Sequence, residues 1–400
     1  MSAPCDPGPP AALATVAEHR SVVVCCGPGG VGKTTISASF GVAAARLGRR
    51  ACVVTVDPAR RLADSLGLES LPNTPARVPG EWLGTLDAVM LDPKTTFDEL
   101  VERYARTADQ AAAIKANRMY DNLTGALSGT QEYMAMEKLY ELTTAGDYDV
   151  VVVDTPPTRN ALDLLDAPRR LTQFLENRLF RALMMPTRLS LRALGVATQA
   201  LLKTISGVAG AEIVQDAVAF FQAFEGMEVG FDERAQAVRQ LLADPCTAYV
   251  IVTSPRADAV DEASYFAERL AERHVHASGL VVNRIHPRFV HGDVVALPDA
   301  PAGSTLALLV DNLSTLDAIA RAEAASYGEL AARVAPAPVC TVPLLGSDVH
   351  DLDGLMQIAD HLFSGRETKG APDIEGPDDA AGSAAGGPAR GVGGAGPEVG

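Results

Sequence analysis

The chain has 400 residues, of which 47% are hydrophobic and 21% are charged, and its formal net charge is −16. A chain of this length has room for one large α/β domain or for two domains. The negative charge argues against a nucleic-acid surface, because such a surface needs clustered Lys and Arg to neutralise phosphates. We therefore expect no nucleic-acid partner.

No run of the sequence approaches the ~18 apolar residues of a membrane span. The first residues also lack the basic start and apolar stretch of a secretory signal. These features predict a cytoplasmic protein with no integral membrane segment. No C-x-x-C motif is present, and we expect the cysteines to be small core residues in a reducing compartment. They are Cys5, Cys25, Cys26, Cys52, Cys246 and Cys340.

The two ends of the chain differ in composition from its middle. Residues 1–19 are rich in Pro and Ala, residues 365–400 are rich in Gly and Ala, and both are predicted to be disordered. Between them, apolar runs have the composition of strands that are buried on both faces. In chain order these runs are "SVVVCC", "ACVVTVD", "DVVVVDT", "TAYVIVTS", "ASGLVVNRI" and "APVCTVPL". Helical patterns alternate with them, so the sequence predicts a doubly wound, mostly parallel α/β sheet.

Two long stretches, about 94–145 and 168–243, carry helical patterns and no strand pattern. In the second stretch, apolar residues such as Leu171 and Phe174 recur at helical spacing. We interpret both stretches as an α-helical subdomain that is inserted into the sheet domain. The whole domain is expected to extend over residues 20–364.

The first strand run is followed by "GPGGVGKTT", which has the spacing of a phosphate-binding loop. Glycines let backbone N–H groups turn towards phosphate oxygens, the lysine adds a positive charge, and the Thr34 hydroxyl binds Mg²⁺. A helix that begins at Lys33 directs its N-terminus at the anion. A structural glycine-rich turn is the alternative. The residues expected to bind nucleotide here are Gly29, Gly30, Val31, Gly32, Lys33, Thr34 and Thr35.

Two acidic residues follow predicted strands. Asp57, in "TVDPARRLADSLG", is expected to orient an attacking water or to hold the water shell of the metal. The alternative is that Asp57 caps a helix that begins at Pro58. Asp154, in "VVVVDTPPTRN", is expected on the Mg²⁺ side, and residues 155–160 are expected to form a loop near the γ-phosphate. The predicted metal ligands are therefore Thr34, Asp57 and Asp154, with the acids acting through water.

Two further positions follow the later strand runs. Asn283 ends "GLVVNRI", where its amide can pair with a purine edge because it offers both a donor and an acceptor. The segment "VPLLGSD" follows the last predicted strand and could cover the base. Either position by itself is also compatible with an ordinary strand end.

Together these motifs resemble the ArsA/Get3-type ATPases of the deviant-Walker P-loop class, and the chain looks closest to their actinobacterial branch. The phosphate loop, "VDPARRLADSLG", "DTPPTRNALDLLDAP", "VVNRI" and "VPLLGSDVHDLDGL" occur in the family's order, over about residues 21–362. The resemblance implies ATP as the substrate, Mg²⁺ as the cofactor and a dimeric switch in which Asp57 activates water. It also implies that Asn283, Pro343 and Leu344 frame the adenine.

The sequence departs from this family at several positions. Pro28 stands where the family has a lysine that reaches the phosphates of the partner subunit, Arg60 and Arg61 stand where His and Asn are usual, and Arg159 and Asn160 replace Gly-His. The zinc that joins subunits in this family has no C-x-x-C to bind it. Either a paralogue supplies the missing lysine in a heterodimer, or one of the two neighbouring arginines supplies the charge within the chain. A third interpretation is that these arginines only cover a helix surface.

The chain has no cysteine between Cys52 and Cys246, which argues against a pump that binds arsenite through thiolates. The resemblance favours a helical surface for a hydrophobic protein client, to which Met119, Met134 and Met136 would contribute. The alternative is that these residues pack the core. We expect an ATP-hydrolysing dimeric switch that couples nucleotide state to a helical effector surface. The alternative is a catalytically weak, nucleotide-binding regulatory subunit of a heteromeric ATPase.

Overall fold

The computed structural model describes residues 12–57, 61–118, 120, 130–156, 216, 219–220, 222–289 and 301–363. Its strands are β1 Val22–Cys26, β2 Arg50–Thr55, β3 Ala76–Arg77, β4 Thr85–Met90, β5 Val150–Asp154, β6 Thr247–Thr253, β7 Ala277–Ile285 and β8 Val339–Pro343. Its helices are α1 Leu13–His19, α2 Lys33–Arg46, α3 Arg61–Ser65, α4 Pro93–Tyr104, α5 Ala108–Lys115, α6 Thr130–Thr144, α7 Glu228–Ala243, α8 Ala257–Glu272, α9 Thr305–Ser326, α10 Gly328–Val334 and α11 Leu352–Phe363.

The strands form one sheet of eight in the order β3-β4-β2-β5-β1-β6-β7-β8. The strand pairs are parallel, with the exception of β3 and β4. β1 lies inside the sheet between β5 and β6, and the later strands extend from it in both directions. Ligands of open α/β sheets bind outside the carboxyl ends of the strands at such a reversal. The predicted doubly wound, mostly parallel α/β fold is confirmed.

The six predicted strand runs correspond to β1, β2, β5, β6, β7 and β8, whereas β3 and β4 were not predicted. The reason lies in β4, whose apolar run is interrupted by the buried acid Asp87. The Asp87 carboxylate accepts a hydrogen bond from the Tyr148 hydroxyl at 2.8 Å and lies 2.6 Å from Arg77 Nε on β3. A buried carboxylate that is paired in this way is compatible with a strand, although its residue type is not typical of one.

Successive residues of the central strands enter two cores, one on each face of the sheet, as the period of a strand requires. Val22 and Val24 lie in a core with residues of α4, α6, α7 and α8. Val23 and Cys25 lie in the other core with residues of α1, α2 and α11. Burial on both faces explains why these strands are continuous apolar runs in the sequence.

The described helices of the two strand-free stretches pack on the first of these faces. Phe97 of α4 stacks on Tyr120 with ring centroids 5.5 Å apart, and it lies 6.3 Å from Phe231 of α7. Met134 and Met136 of α6 are 1% and 0% exposed, so these two residues belong to the core and not to an accessible surface. Met119 and residues 168–215 lie outside the described residues.

The disorder predicted for residues 1–19 is wrong for their second half. Leu13, Val16 and Ala17 lie on one side of α1 and are buried, because their spacing forms an apolar stripe on a helix. Leu13 fills the space beside Gly279 of β7, where an added Cβ would come within 2.4 Å of Leu13 Cδ2. Composition alone did not reveal this stripe. Residues 1–11 and 364–400 lie outside the described residues.

The expectation for the cysteines is correct for some of them and wrong for one. Cys25, Cys26 and Cys52 are free and buried, and Cys340 is free and half-buried. Cys246 is disulfide-bonded, which the spacing of the cysteines in the sequence could not reveal. Among the helices in the described ranges, none combines the length and the apolar character that a membrane span requires.

Candidate nucleotide site

The phosphate loop connects β1 to α2 at the carboxyl edge of the sheet. Its first glycine passes so close to β6 that a Cβ on Gly27 would lie 2.0 Å from the Val252 carbonyl oxygen. Gly32 precedes α2 in the left-handed region with φ 95°. Gly29 and Gly30 are exposed at the tip of the loop. The local backbone therefore requires glycine at its two ends and leaves the tip open to a ligand.

Lys33 is the first residue of α2, and its side chain is buried within the loop. Its ammonium donates hydrogen bonds to the carbonyl oxygens of Gly27 at 3.0 Å and of Pro28 at 2.8 Å. Burial lowers the pKa of Lys33, and the nearby Asp154 carboxylate opposes this change. The ammonium thus links the start of α2 to the start of the loop. A phosphate bound in the loop would offer anionic oxygens, which would replace the two carbonyl oxygens as hydrogen-bond acceptors of the ammonium.

Asp154 ends β5 beside the start of α2, and its side chain links two neighbouring elements. Its Oδ2 accepts hydrogen bonds from the hydroxyls of Thr34 at 2.7 Å and of Thr55 at 2.9 Å. Thr55 is the last residue of β2 and lies directly opposite Asp154 in the parallel register. Sequence reasoning did not select Thr55, because a threonine in a strand run is also an ordinary β-branched strand residue.

The environment of Asp154 fits a divalent cation. Its Oδ1 is buried and has no hydrogen-bond partner in the described part of the chain. Burial raises the pKa of Asp154 to about 6, against the lowering effect of the Thr34 and Thr55 hydroxyls. A carboxylate and the Thr34 hydroxyl are the hard oxygen ligands that Mg²⁺ takes together with waters and phosphates. The residues predicted to hold Mg²⁺ therefore suit this ion.

Asp57 follows β2 and is half-buried. Its backbone N–H donates to Thr55 Oγ1 at 3.2 Å, so the Thr55 hydroxyl joins Asp57 to the oxygen of Asp154. The Arg61 guanidinium lies 4.0 Å from the Asp57 carboxylate, and it is 67% exposed. Residues 58–60, which include Arg60 and the proposed helix start, lie outside the described residues. So do Arg159 and Asn160.

The far side of the loop faces the ends of β7 and β8. Asn283 is buried, and its amide nitrogen donates to the Val31 carbonyl at 2.8 Å. This amide occupies the space beside Gly32, since an added Cβ there would lie 2.3 Å from Asn283 Nδ2. Pro343 ends β8 opposite Ile285, and the Leu344 N–H donates to the Ile285 carbonyl at 2.8 Å.

The structure therefore brings Asn283, Pro343 and Leu344 to neighbouring positions at this edge, with Leu344 half exposed. In the described conformation, the Asn283 amide contacts the phosphate loop. Its pairing with a purine, and the framing of adenine by the other two residues, stay predictions.

The family can now be assigned. The sequence model of the family described as anion-transporting ATPase matches residues 20–364. The chain belongs to this family. The resemblance to the ArsA/Get3 ATPases that the motifs indicated is confirmed, and the loop, Lys33 and Asp154 lie within the matched region.

Three relatives are similar to the chain over part of its length, and two of them are named ATPases. The chain is 31% identical over 172 residues to a protein named ATPase GET3 from Malassezia globosa, which is 42% of this chain and 50% of the relative. It is 30% identical over 269 residues to an uncharacterized protein of Streptomyces coelicolor, 67% of this chain and 63% of the relative. It is 25% identical over 279 residues to ATPase GET3A of Arabidopsis thaliana, 69% of this chain and 71% of the relative. The first two matches thus span between half and two thirds of the relatives' own length.

Proposed function

We propose that this protein of the anion-transporting ATPase family hydrolyses ATP to ADP and phosphate with Mg²⁺ as its cofactor. The observation that carries the proposal is the contact of Thr34 with Asp154 at 2.7 Å, beside a phosphate loop that begins a helix. A metal-binding hydroxyl and a strand-end carboxylate in contact are the arrangement that a P-loop NTPase uses for Mg²⁺. The same interpretation is supported by Asp154 Oδ1, which is buried and has no hydrogen-bond partner among the described residues.

Each polar residue of the site has a separate task in this proposal. The N–H groups of residues 29–35 and the start of α2 hold the phosphates, and Lys33 neutralises their charge. Thr34 and Asp154 hold Mg²⁺, which supplies charge stabilisation on the phosphate oxygens when it is bound. Asp57 accepts a hydrogen bond from the attacking water and orients it towards the γ-phosphate. Thr55 fixes Asp57 relative to Asp154 through its two hydrogen bonds.

We also infer a nucleotide-dependent switch, which the resemblance to the ArsA/Get3 ATPases implies to be dimeric. Asp57 follows β2 and Asp154 ends β5, so both acids lie at the carboxyl edge of the sheet, near the phosphate loop. A change from ATP to ADP alters the charge that these acids face, and this is how the loops that follow such acids transmit hydrolysis. The hydrophobic client, to which the buried Met134 and Met136 lend no support, stays a prediction. The cytoplasmic location stays one as well.

A second candidate is the catalytically weak regulatory subunit, and Pro28 favours it. This proline is buried and presents no charge to a neighbouring nucleotide. In a heterodimer with a paralogue that supplies a lysine, this chain would then act by regulating its partner. The retained Lys33, Thr34, Asp57 and Asp154 favour the enzyme.

The deciding experiment is steady-state ATP hydrolysis by the purified chain, alone and mixed with a co-expressed paralogue. We expect Asp57→Asn to lower the rate at least ~100-fold, the range in which loss of a general base falls, while ATP affinity stays nearly unchanged. Glu69→Gln is the matched control, because Glu69 is an exposed acid that lies beyond helix α3 and outside the motif of Asp57, and its rate should equal that of the wild type.

The result separates the two candidates. If the mixture hydrolyses ATP and the Asp57→Asn substitution leaves its rate unchanged, this chain is the regulatory subunit. A rate that appears only in the mixture and disappears with the mutation supports a heterodimeric ATPase with a working site in this chain. A wild type that hydrolyses ATP alone at the full rate of the mixture excludes the need for a paralogue.

A further inference from the structure

Arg284 is a cationic residue at the phosphate loop that the sequence did not single out. It follows Asn283 in β7, and its Nη1 donates a hydrogen bond to the Gly30 carbonyl at 3.1 Å. Gly30 is at the exposed tip of the loop, with φ 75° and no atom within 4 Å of an added Cβ. The guanidinium therefore lies beside the open tip of the loop, whereas the Lys33 ammonium is buried against the carbonyl oxygens of Gly27 and Pro28 at its start.

The backbone directs Arg284 to this place. Its φ is 64°, in the left-handed region that residues with a Cβ seldom adopt. The register between β7 and β8 shifts between Asn283 and Ile285, and such irregularities re-aim a side chain at a strand end. The Asn283 side chain fixes the turn, because its Oδ1 accepts the Arg284 N–H at 2.9 Å while its amide holds Val31. An unfavourable backbone conformation that is held in this way is typical of functional sites.

The charge of Arg284 is also unusual in its surroundings. The next basic residues of the same segment contact acids of α9: His286 Nδ1 lies 2.7 Å from Glu323, and Arg288 lies 3.8 Å from Asp317. Within the described ranges, no carboxylate forms an ion pair with Arg284. In a chain with a net charge of −16, an arginine that faces the phosphate loop without an acidic partner keeps its charge available for an anion.

We propose that Arg284 contacts the β- and γ-phosphates of the bound nucleoside triphosphate from the open side of the loop, and so supplies the second positive charge that Pro28 does not. The inference rests on the proposed nucleotide function and adds a residue to it. A guanidinium suits this role because its planar fork can bind two phosphate oxygens while it keeps a donor for the Gly30 carbonyl. Since Arg284 belongs to the chain that holds the loop, no partner subunit is needed for this charge.

The test compares the binding of a triphosphate and a diphosphate. Isothermal titration calorimetry with Mg²⁺ measures the affinity of a non-hydrolysable ATP analogue and of ADP for the wild type, Arg284→Ala and Arg284→Lys. We expect Arg284→Ala to weaken the ATP analogue about tenfold, as the loss of a charge-assisted hydrogen bond does, and ADP by a clearly smaller factor. Arg284→Lys should lie between the two proteins. Arg288→Ala, a nearby arginine that is paired with Asp317, should bind both nucleotides as the wild type does.

Two results overturn the proposal without affecting the proposed function. Either Arg284→Ala binds the ATP analogue as the wild type does, or it loses the same factor for both nucleotides, which indicates that Arg284 only fixes the loop through Gly30. Thermal unfolding of each variant identifies a folding defect, and Arg284→Gln provides a second neutral variant if the alanine variant is unstable. A wild type that binds neither nucleotide overturns both this inference and the proposed function.

Discussion

The two sides of the phosphate loop are built in different ways. On the β5 side, Thr55 and Asp154 are each 1% exposed, and the Asp154 carboxylate accepts hydrogen bonds from the hydroxyls of Thr55 and of Thr34 on α2. On the β7 side, Asn283 is buried, but Arg284 is exposed and lies on a left-handed backbone. Parallel register fixes the first side before any ligand binds, whereas the second side depends on a strand irregularity. The β5 side, which we propose holds the metal, is therefore preorganised, and the β7 side retains a side chain that can change partners.

The largest expected effect is on the preorganised side. Thr34→Ala removes a hydroxyl that contacts Asp154 and that we assign to Mg²⁺, so we expect the rate of Mg²⁺-dependent ATP hydrolysis to fall about a thousandfold, as the loss of several kcal/mol of metal-assisted stabilisation implies. Thr34→Ser keeps the hydroxyl and should retain most of the rate. Steady-state hydrolysis over a range of Mg²⁺ concentrations checks both. An alanine variant with nearly the wild-type rate would show that the metal side is elsewhere.

A second prediction concerns the free energy of unfolding, which the buried carboxylate of the preorganised side lowers. Burial raises the pKa of Asp154 from 3.8 to about 6, so the folded protein binds this proton more tightly than the unfolded chain. The contribution of Asp154 to the free energy of unfolding therefore falls as the pH rises through this window, and it stays low above about pH 6. Asp154→Asn keeps an oxygen acceptor for the Thr34 and Thr55 hydroxyls without the charge. We expect this variant, free of metal and nucleotide, to be more stable at pH 8 by up to about 3 kcal/mol.

The pH profile distinguishes this effect from a general change in packing. Chemical denaturation of both proteins should give equal free energies of unfolding near pH 4 and diverging values above it. Asp87→Asn is the control, because Asp87 is also buried but is paired with Arg77, and its loss should give no such gain. A less stable Asp154→Asn protein at pH 8 would contradict the assignment of Asp154 as an unfavourable buried carboxylate, and with it the contrast between the two sides.

The same contrast explains what the sequence could predict. The sequence predicted that Lys33, Thr34 and Asp154 lie close together, because a loop motif and strand ends have fixed spacings and parallel strands bring their carboxyl ends to one edge. Their roles in binding stay predictions. Thr55 was missed because its role depends on the register of β2 with β5, which no local pattern contains. β4 was missed because its buried Asp87 is satisfied only by partners on β3 and before β5.

The sequence led us to consider two arginines after β2 for the missing charge, and not the one that lies in β7. It singled out Arg60 and Arg61 because they depart from a motif, and Arg61 lies near Asp57 with its guanidinium mostly exposed. Arg284 lies in a predicted strand run, and the sequence pattern there indicates neither its left-handed backbone nor the register shift. Hydrophobic periodicity reports which face a residue occupies, but it does not report where a strand leaves its ladder.

The smallest expected effect tests the backbone of the β7 side separately from its charge. Arg284→Ala and Arg284→Gly both remove the guanidinium, but only glycine adopts a φ of 64° without a steric penalty. The left-handed penalty of about 1–2 kcal/mol for a residue with a Cβ is partly offset by the greater freedom of glycine in the unfolded chain. The glycine variant should therefore be the more stable of the two by about 0.5–1 kcal/mol in chemical denaturation. Equal stabilities, or a more stable alanine variant, would mean that the turn at Arg284 relaxes without strain once the Gly30 contact is lost. The contact with Gly30, and not the backbone, would then determine the position of Arg284.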